Sequence, residues 1–273
     1  MRIGLIGTVH FSVACLEATL QTCANTKCGE VIGVISTSPE NNTYNSDFVD
    51  IRPYALAAEI ECVQTRMKDH EKIFQTISRW NLDLLIVVGW SSIIPREIYS
   101  LPKIATVGSH PTLLPKGRGR HPIIWSIIKE VKQSGISFFY IENDSADTGD
   151  IIHQETFQIH RNDTAFSVYI KAEWAAKKSI HQWLPTMVKN PTRIPQDTNL
   201  ATEYPKRSEK DGILNWTTSS LTIYNTIRAL SYPYPGATTK IIIDGNVKTI
   251  VIWEAKYIEP ESSQQSINMP GKI

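Results

Sequence analysis

The chain carries none of the short signatures that announce the commonest catalytic sites. There is no GxSxG nucleophile elbow, so covalent acyl-enzyme chemistry is not expected. There is no GxGxxG, GxxxxGK[ST] or HExxH, which removes the usual dinucleotide, phosphate-loop and zinc-helix readings. Cysteine is scarce. Cys15, Cys23, Cys28 and Cys62 show neither a CxxC nor a Cys/His ligand spacing, so idle thiols in a reducing cytosol, and no metal, are expected. Long apolar runs are missing too: the longest, Leu82–Trp90, includes Asp83 and is far too short to span a membrane. The opening stretch Met1–Gly7, followed by polar Thr8 and His10, reads as a core strand and not as a signal peptide. Charge of one sign is lacking as well. A formal net charge of +1 gives no global field to draw the chain to nucleic acid or to an anionic membrane. There are no internal repeats.

What is present suits a soluble globular protein. The 273 residues, 41% apolar and 20% charged, can bury a substantial core as one large domain with a small appendage. In the first half, short apolar runs alternate with helical patterns. Arg2–Ile6, Val31–Ser36, Ile60–Val63, Leu84–Val88 and Ala105–Ser109 read as strands, and Ser12–Thr22, His70–Trp80 and Pro122–Lys132 as helices. This order predicts an α/β fold with a doubly wound, mostly parallel sheet, Rossmann-like, in which ligands bind beyond the carboxyl ends of the strands.

Two more strands, Gly135–Glu142 and Ile151–Ile159, flank an Asn143–Asp150 turn. Asn162-Asp163-Thr164 then starts a long helix to about Leu184, with Phe166, Ile170, Trp174, Ile180 and Trp183 expected on its core face. Residues 1–184 are read as the catalytic core. The proline-rich stretch 185–205 is read as a linker, 206–260 as a small β-rich C-terminal subdomain, and 261–273 as a disordered tail. The subdomain includes a helix from about Ser219 to Leu230 and a hairpin around Asp244-Gly245.

The chemistry concentrates in two segments. Gly108-Ser109-His110-Pro111-Thr112-Leu113-Leu114-Pro115 runs into the turn Lys116-Gly117-Arg118-Gly119-Arg120-His121-Pro122, and Ala146-Asp147-Thr148-Gly149-Asp150 follows. His110 ends a strand, and Pro111 and Pro115 stiffen what comes next. Asp147 or Asp150 beside it would orient the ring, raise its pKa and favour an imidazolium able to stabilise an oxyanion and relay a proton. Arg118 and Arg120 offer cations for a phosphate or carboxylate.

These segments resemble the formyltransferases that use N10-formyltetrahydrofolate. The block His110–Pro115, the Gly119-Arg120 turn, Pro122-Ile123, Trp125 and Asp147–Ile151 carry the likeness. So do Gly7-Thr8 with Phe11–Val13, Asp211–Trp216, Arg228-Ala229 and Tyr234–Ala237. The resemblance implies formyl transfer to an amine, with His110 handling the proton and Asp147 setting its charge. The pterin would lie against Trp90, Ser92, Ile93 and Ile94, against Leu113, Leu114 and Pro115, and against Asn143, Asp144, Ser145, Ala146 and Asp147. Arg120 and His121 would meet substrate. One position departs from the family: Gly108 stands where an asparagine helps bind the oxyanion. His121, Asn143, a backbone N–H or a water could substitute, and Ser109 less readily because strand alternation turns it to the other side.

Three readings of the acceptor stay open: a nucleotide-linked amino sugar, methionyl-tRNA, or none, in a folate- or nucleotide-binding protein that has lost its oxyanion donor. Residues 206–273 hold eight Lys/Arg against six Asp/Glu, too weak a bias for the many phosphate contacts of a tRNA. The expectation is therefore a cytoplasmic sugar N-formyltransferase of surface-carbohydrate biosynthesis, binding no nucleic acid and no membrane. A 4-amino-4,6-dideoxy sugar is what the resemblance suggests. Tyr169, Trp216, Tyr224, Tyr232 and Tyr234 are candidates to stack on a base, and the C-terminal hairpin offers a face for a homodimer.

Overall fold

The computed structural model describes residues 1–42 and 45–259. The tail expected at 261–273 lies outside the described residues. In chain order the first half runs β1 (Arg2–Ile6), α1 (His10–Thr26), β2 (Glu30–Thr37), α2 (Arg52–Ala57), β3 (Glu61–Thr65), α3 (His70–Trp80), β4 (Leu84–Val87), α4 (Arg96–Tyr99) and β5 (Ala105–His110). It continues with β6 (Arg118–Gly119), α5 (Pro122–Ile128), β7 (Gln133–Tyr140), β8 (Ile151–Gln158) and α6 (Ala165–Trp183). The last part holds β9 (Glu203–Tyr204), α7 (Ser220–Leu230), β10 (Ala237–Ile243) and β11 (Asn246–Ile252).

Seven strands form one sheet in the order β3-β2-β1-β4-β5-β7-β8. The first five are parallel; β7 and β8 are antiparallel. The strand order reverses between β1 and β4, which opens a crevice at their carboxyl ends. Period-two alternation builds the two faces. Leu84 and Ile86 join Leu5, Val34 and Val107 in one cluster, covered by α1 and α6, while Leu85 and Val87 join Ile6 and Ile35 under α3 and α4. Side chains buried this fully stabilise the fold by roughly 1.5–3 kcal/mol each.

The crevice is sealed by a polar knot. Ser12 Oγ accepts the N–H of Thr8 (3.0 Å) and of Val9 (3.2 Å) and donates to the Val88 carbonyl (2.7 Å). Gly89, at φ +62°, lies so close that a Cβ would sit 2.4 Å from Val9 Cγ2 and 2.6 Å from Ser12 Oγ, so only glycine fits there.

The core face expected of α6 needs correction. Phe166, Ile170 and Trp174 are exposed, Trp174 by 62%, while Ile180 and Trp183 are buried as expected. The buried stripe is Ala165, Val168, Tyr169, Ala172, Ala175, Ala176, Ser179, Ile180 and Trp183. Small side chains let the helix lie close to the sheet and to α1, and this close approach outweighs the hydrophobicity of the larger residues on the other face. The helix predicted over Pro122–Lys132 stops at Ile128, because the chain turns through Glu130 (φ +53°) to enter β7.

β10 and β11 form a separate antiparallel pair. Their turn takes positive φ at both Asp244 and Gly245, as a two-residue hairpin requires.

Candidate active site

β5 delivers His110 to the carboxyl edge of the sheet, 6% exposed. The following segment curls back and is fixed by Ser137 on β7. Ser137 Oγ donates to the Thr112 carbonyl (2.7 Å) and accepts from Leu114 N (3.1 Å) and Gln154 Nε2 (2.7 Å). The curl brings the Gly117 carbonyl to 2.7 Å from His110 Nε2. A carbonyl only accepts, so Nε2 is the donor in this bond. On the other side of the ring, Nδ1 lies 3.5 Å from Asp147 Oδ2.

Asp147 sits at φ +59°, a conformation that costs a non-glycine residue free energy and persists where its surroundings hold it. Its Oδ2 also accepts the Gly119 N–H at 2.9 Å. Gln196 fixes the backbone. Its Nε2 donates to the carbonyls of Asp147 (2.9 Å) and Gly149 (2.8 Å), and its Oε1 accepts from Arg118 Nη2 (2.6 Å) and Nε (3.2 Å). Gln196 belongs to the stretch read as a linker. That stretch makes a backbone exchange between Ile194 and Ile151 and ends with β9 paired to β6. Between them Thr202 takes the Gly117 N–H on its Oγ1 at 2.8 Å. The stretch is a strap across the His110 turn. Sequence reasoning missed Gln196, Thr202, Ser137 and Gln154; the only local cue was the β-prone run Thr202–Tyr204.

The space beside Gly108 is already filled. A Cβ there would stand 2.9 Å from the Phe139 ring and 3.1 Å from Ile141 Cδ1. The N–H groups of the adjoining turn are also committed: Gly117 to Thr202 Oγ1, Arg118 to the Thr202 carbonyl, Gly119 to Asp147 and Arg120 to the Tyr204 carbonyl. His121 is held differently. Its Nδ1 accepts the Arg207 N–H at 3.1 Å, which leaves the proton on Nε2. Burial first, then the charges of Arg120, Arg207 and Lys206, push its pKa below the ordinary histidine value, so the ring is a neutral donor. Asn143 Oδ1 accepts from Ser145 N and Thr148 Oγ1, which orients its amide.

The residues assigned to the pterin form a rim. Arg120 Nη1 donates to the Ser91 carbonyl at 3.1 Å and so ties the Trp90–Ile94 loop to the His110 turn. Ile141 packs against two clusters, one holding Ile94 and also joined by Trp90, the other made of Leu114, Phe139 and Ile151. Ile94 and Leu114 are each 3% exposed, so these two offer a ligand backbone and not side chain. Trp90, Ser92, Leu113 and Pro115 are half-buried; Ile93, Asn143, Asp144, Ser145 and Ala146 are exposed. The buried indole N–H of Trp90 has no partner among the described residues. Of the five aromatic residues considered for base stacking, Tyr232 alone is exposed; Trp216 is engaged with Thr239, and Tyr169 with Asp47 and Phe11 N. Among the described residues no group of three or more potential ligands could hold a metal, and the four cysteines are free thiols.

A strand-end histidine against an aspartate, framed by these two loops, is the arrangement in which comparison with known proteins becomes informative. The formyl transferase model matches residues 1–187, and the model of the formyl transferase C-terminal domain matches residues 206–273. The chain belongs to the formyl transferase family. It is a formyl-transferring enzyme. The methionyl-tRNA formyltransferase of Alkaliphilus oremlandii (strain OhILAs) is 30% identical over 276 residues, spanning 100% of this chain and 84% of that protein. Among solved structures, a sugar N-formyltransferase from Shewanella sp. FDAARGOS_354 superposes with a TM-score of 0.71 at 18% identity, covering 95% of this chain and 99% of that one. An N-formyltransferase from Helicobacter canadensis, in complex with folinic acid and dTDP-3-aminofucose, superposes with a TM-score of 0.63 at 21% identity, covering 83% and 79%. At such identities these likenesses establish the shared fold: a mostly parallel, Rossmann-like sheet with a small C-terminal sheet.

Proposed function

We propose that this formyl transferase moves a formyl group from N10-formyltetrahydrofolate to the amine of a nucleotide-linked amino sugar. The observation that carries the chemistry is the His110–Asp147 pair, 3.5 Å apart on the carboxyl edge of the sheet. The amine attacks the formyl carbon, and negative charge develops on the formyl oxygen. His110 Nε2–H exchanges the Gly117 carbonyl for that oxygen, while Asp147 holds the ring from the far side. The new N–C bond forms as the old one to N10 breaks, and the proton lost by the amine ends on N10. The neutral Nε2–H of His121 is the second donor in reach of substrate bound at the Arg120 turn, in place of the side chain that Gly108 lacks.

The charge of the C-terminal part supports this acceptor. Eight Lys/Arg against six Asp/Glu over residues 206–273 make a poor tRNA surface, and the chain matches a sugar N-formyltransferase over nearly that enzyme's whole length. The second reading, methionyl-tRNA, is supported by 30% identity over the full chain to a tRNA enzyme. The experiment is a formyl-transfer assay with the full chain, offering amino-sugar nucleotides and charged initiator tRNA in parallel. Turnover with a sugar nucleotide alone supports the proposal, and turnover with tRNA alone overturns it.

A further inference from the structure

Away from the His110 turn, the seam between the core and α7 forms a half-open cavity of about 220 Å³. Lys132 at its edge precedes β7, on which Ser137 is paired with His110, so the cavity stands roughly 16 Å along the strand from that pairing at about 3.3 Å per residue. Arg228 lines it and is 6% exposed. Its Nε donates to Asn225 Oδ1 at 2.9 Å and its Nη1 to the Asp163 carbonyl at 2.6 Å. Both acceptors are neutral, and Nη2 has no partner among the described residues. No carboxylate of the described residues lies within 4.0 Å of this guanidinium. Asp163 is nearby, but its carboxylate is taken by Lys171 at 2.5 Å.

A buried cation is ordinarily matched by an anion, because desolvation without a counter-charge is costly. Here cations stand beside the carboxylates of Asp163 and Glu130 and the Tyr224 ring. Arg161 and Lys132 line the same cavity. Lys132 has no ion-pair partner among the described residues, and Arg161 pairs outward with Glu259. Glu130 is the one carboxylate in the lining, and it accepts from Asn225 Nδ2 at 3.1 Å. Burial pulls the Arg228 pKa down, while the nearby Tyr224, Asp163 and Glu130 push it back up.

We propose that this cavity is an oxyanion site that takes a phosphoryl group, with Arg228 as its buried anchor and Arg161 and Lys132 at its rim. The volume is below the roughly 300–1,000 Å³ of pockets that enclose a whole drug-sized ligand, so the site holds one phosphoryl group and not an entire nucleotide. The planar fork of Arg228 supplies directed donors, and the rim supplies charge. The site is independent of formyl transfer, and its test needs no turnover.

The test is calorimetry and thermal unfolding of the full chain with inorganic phosphate, against chloride at matched ionic strength. Saturable phosphate binding that raises Tm is expected. Because a substitution at Arg228 risks the fold, the deciding variant is the exposed pair Lys132→Ala with Arg161→Ala, which should weaken phosphate binding about tenfold. A nucleoside diphosphate is the second probe. If the variant weakens it too, the phosphoryl group is carried by a nucleotide; if only inorganic phosphate weakens, the site serves the free ion. No saturable effect beyond chloride, or equal affinity in parent and variant, overturns the proposal.

Discussion

The side-chain amide of Gln196 donates to the backbone carbonyl of Asp147 at 2.9 Å, so a residue of the strap holds the residue that faces His110. The bond acts on a backbone at positive φ, where an unsupported aspartate would relax. Gln196→Ala should lower kcat by about 10- to 100-fold with little change in KM, since a small misplacement of a positioning group costs rate and not binding. Steady-state kinetics checks this; an unchanged kcat would remove Gln196 from the machinery.

His110→Ala and Asp147→Asn should each cut turnover by at least about 100-fold. Asparagine can still accept the Gly119 N–H, so the turn stays in place and the loss reports the missing charge. Folate binding, followed by fluorescence quenching, is expected to persist in both. Full turnover in either variant would undo the assignment.

Gly108→Asn installs the residue that the resemblance implies at this position but should not raise activity. Its side chain meets the Phe139 ring and Ile141 at once. Overpacking of this kind costs about 1–3 kcal/mol, so the variant should melt several degrees lower at equal or reduced turnover. A large gain in rate at unchanged Tm would show that the space is not occupied as described.

The pH dependence of stability has a definite sign at His121. Its folded pKa lies below the ordinary 6.5, so the folded form binds its proton less readily than the unfolded chain. The contribution is complete above about pH 6.5 and is lost as pH falls through the folded pKa. His121→Gln should therefore flatten the fall in stability between pH 7 and 5 seen in the parent. Urea unfolding at several pH values measures it, and parallel curves for parent and variant would contradict it. His153, also lowered by burial, remains in both proteins and cancels in the comparison.

The corrected face of α6 can be tested by a pair of substitutions. Trp174→Ser, at an exposed position, should change stability by no more than about 0.5 kcal/mol. Ala176→Leu, at a fully buried position, should cost about 1–3 kcal/mol. Equal effects in chemical denaturation would restore the original face.

The strands and the two site segments were legible because both write themselves into local sequence. Leu84–Val88 is apolar throughout since it is covered on both sides, and His110 is marked by the prolines after it. The α6 stripe was illegible because alanine gains its place by close packing, which a hydrophobicity pattern ranks below tryptophan. Gln196 was illegible for another reason: an amide that bonds two carbonyls 47 and 49 positions away leaves no trace in its own neighbourhood.

The strap also bears on how such enzymes could be recombined. A graft that swapped the C-terminal part at residue 205 would keep this chain's own Gln196 and Thr202 beside the turn they serve. A crossover at residue 190 would import foreign ones and would need a matching donor turn. Modular exchange in this architecture therefore has a natural breakpoint after Tyr204, and chimeras cut earlier should inherit a mismatched brace.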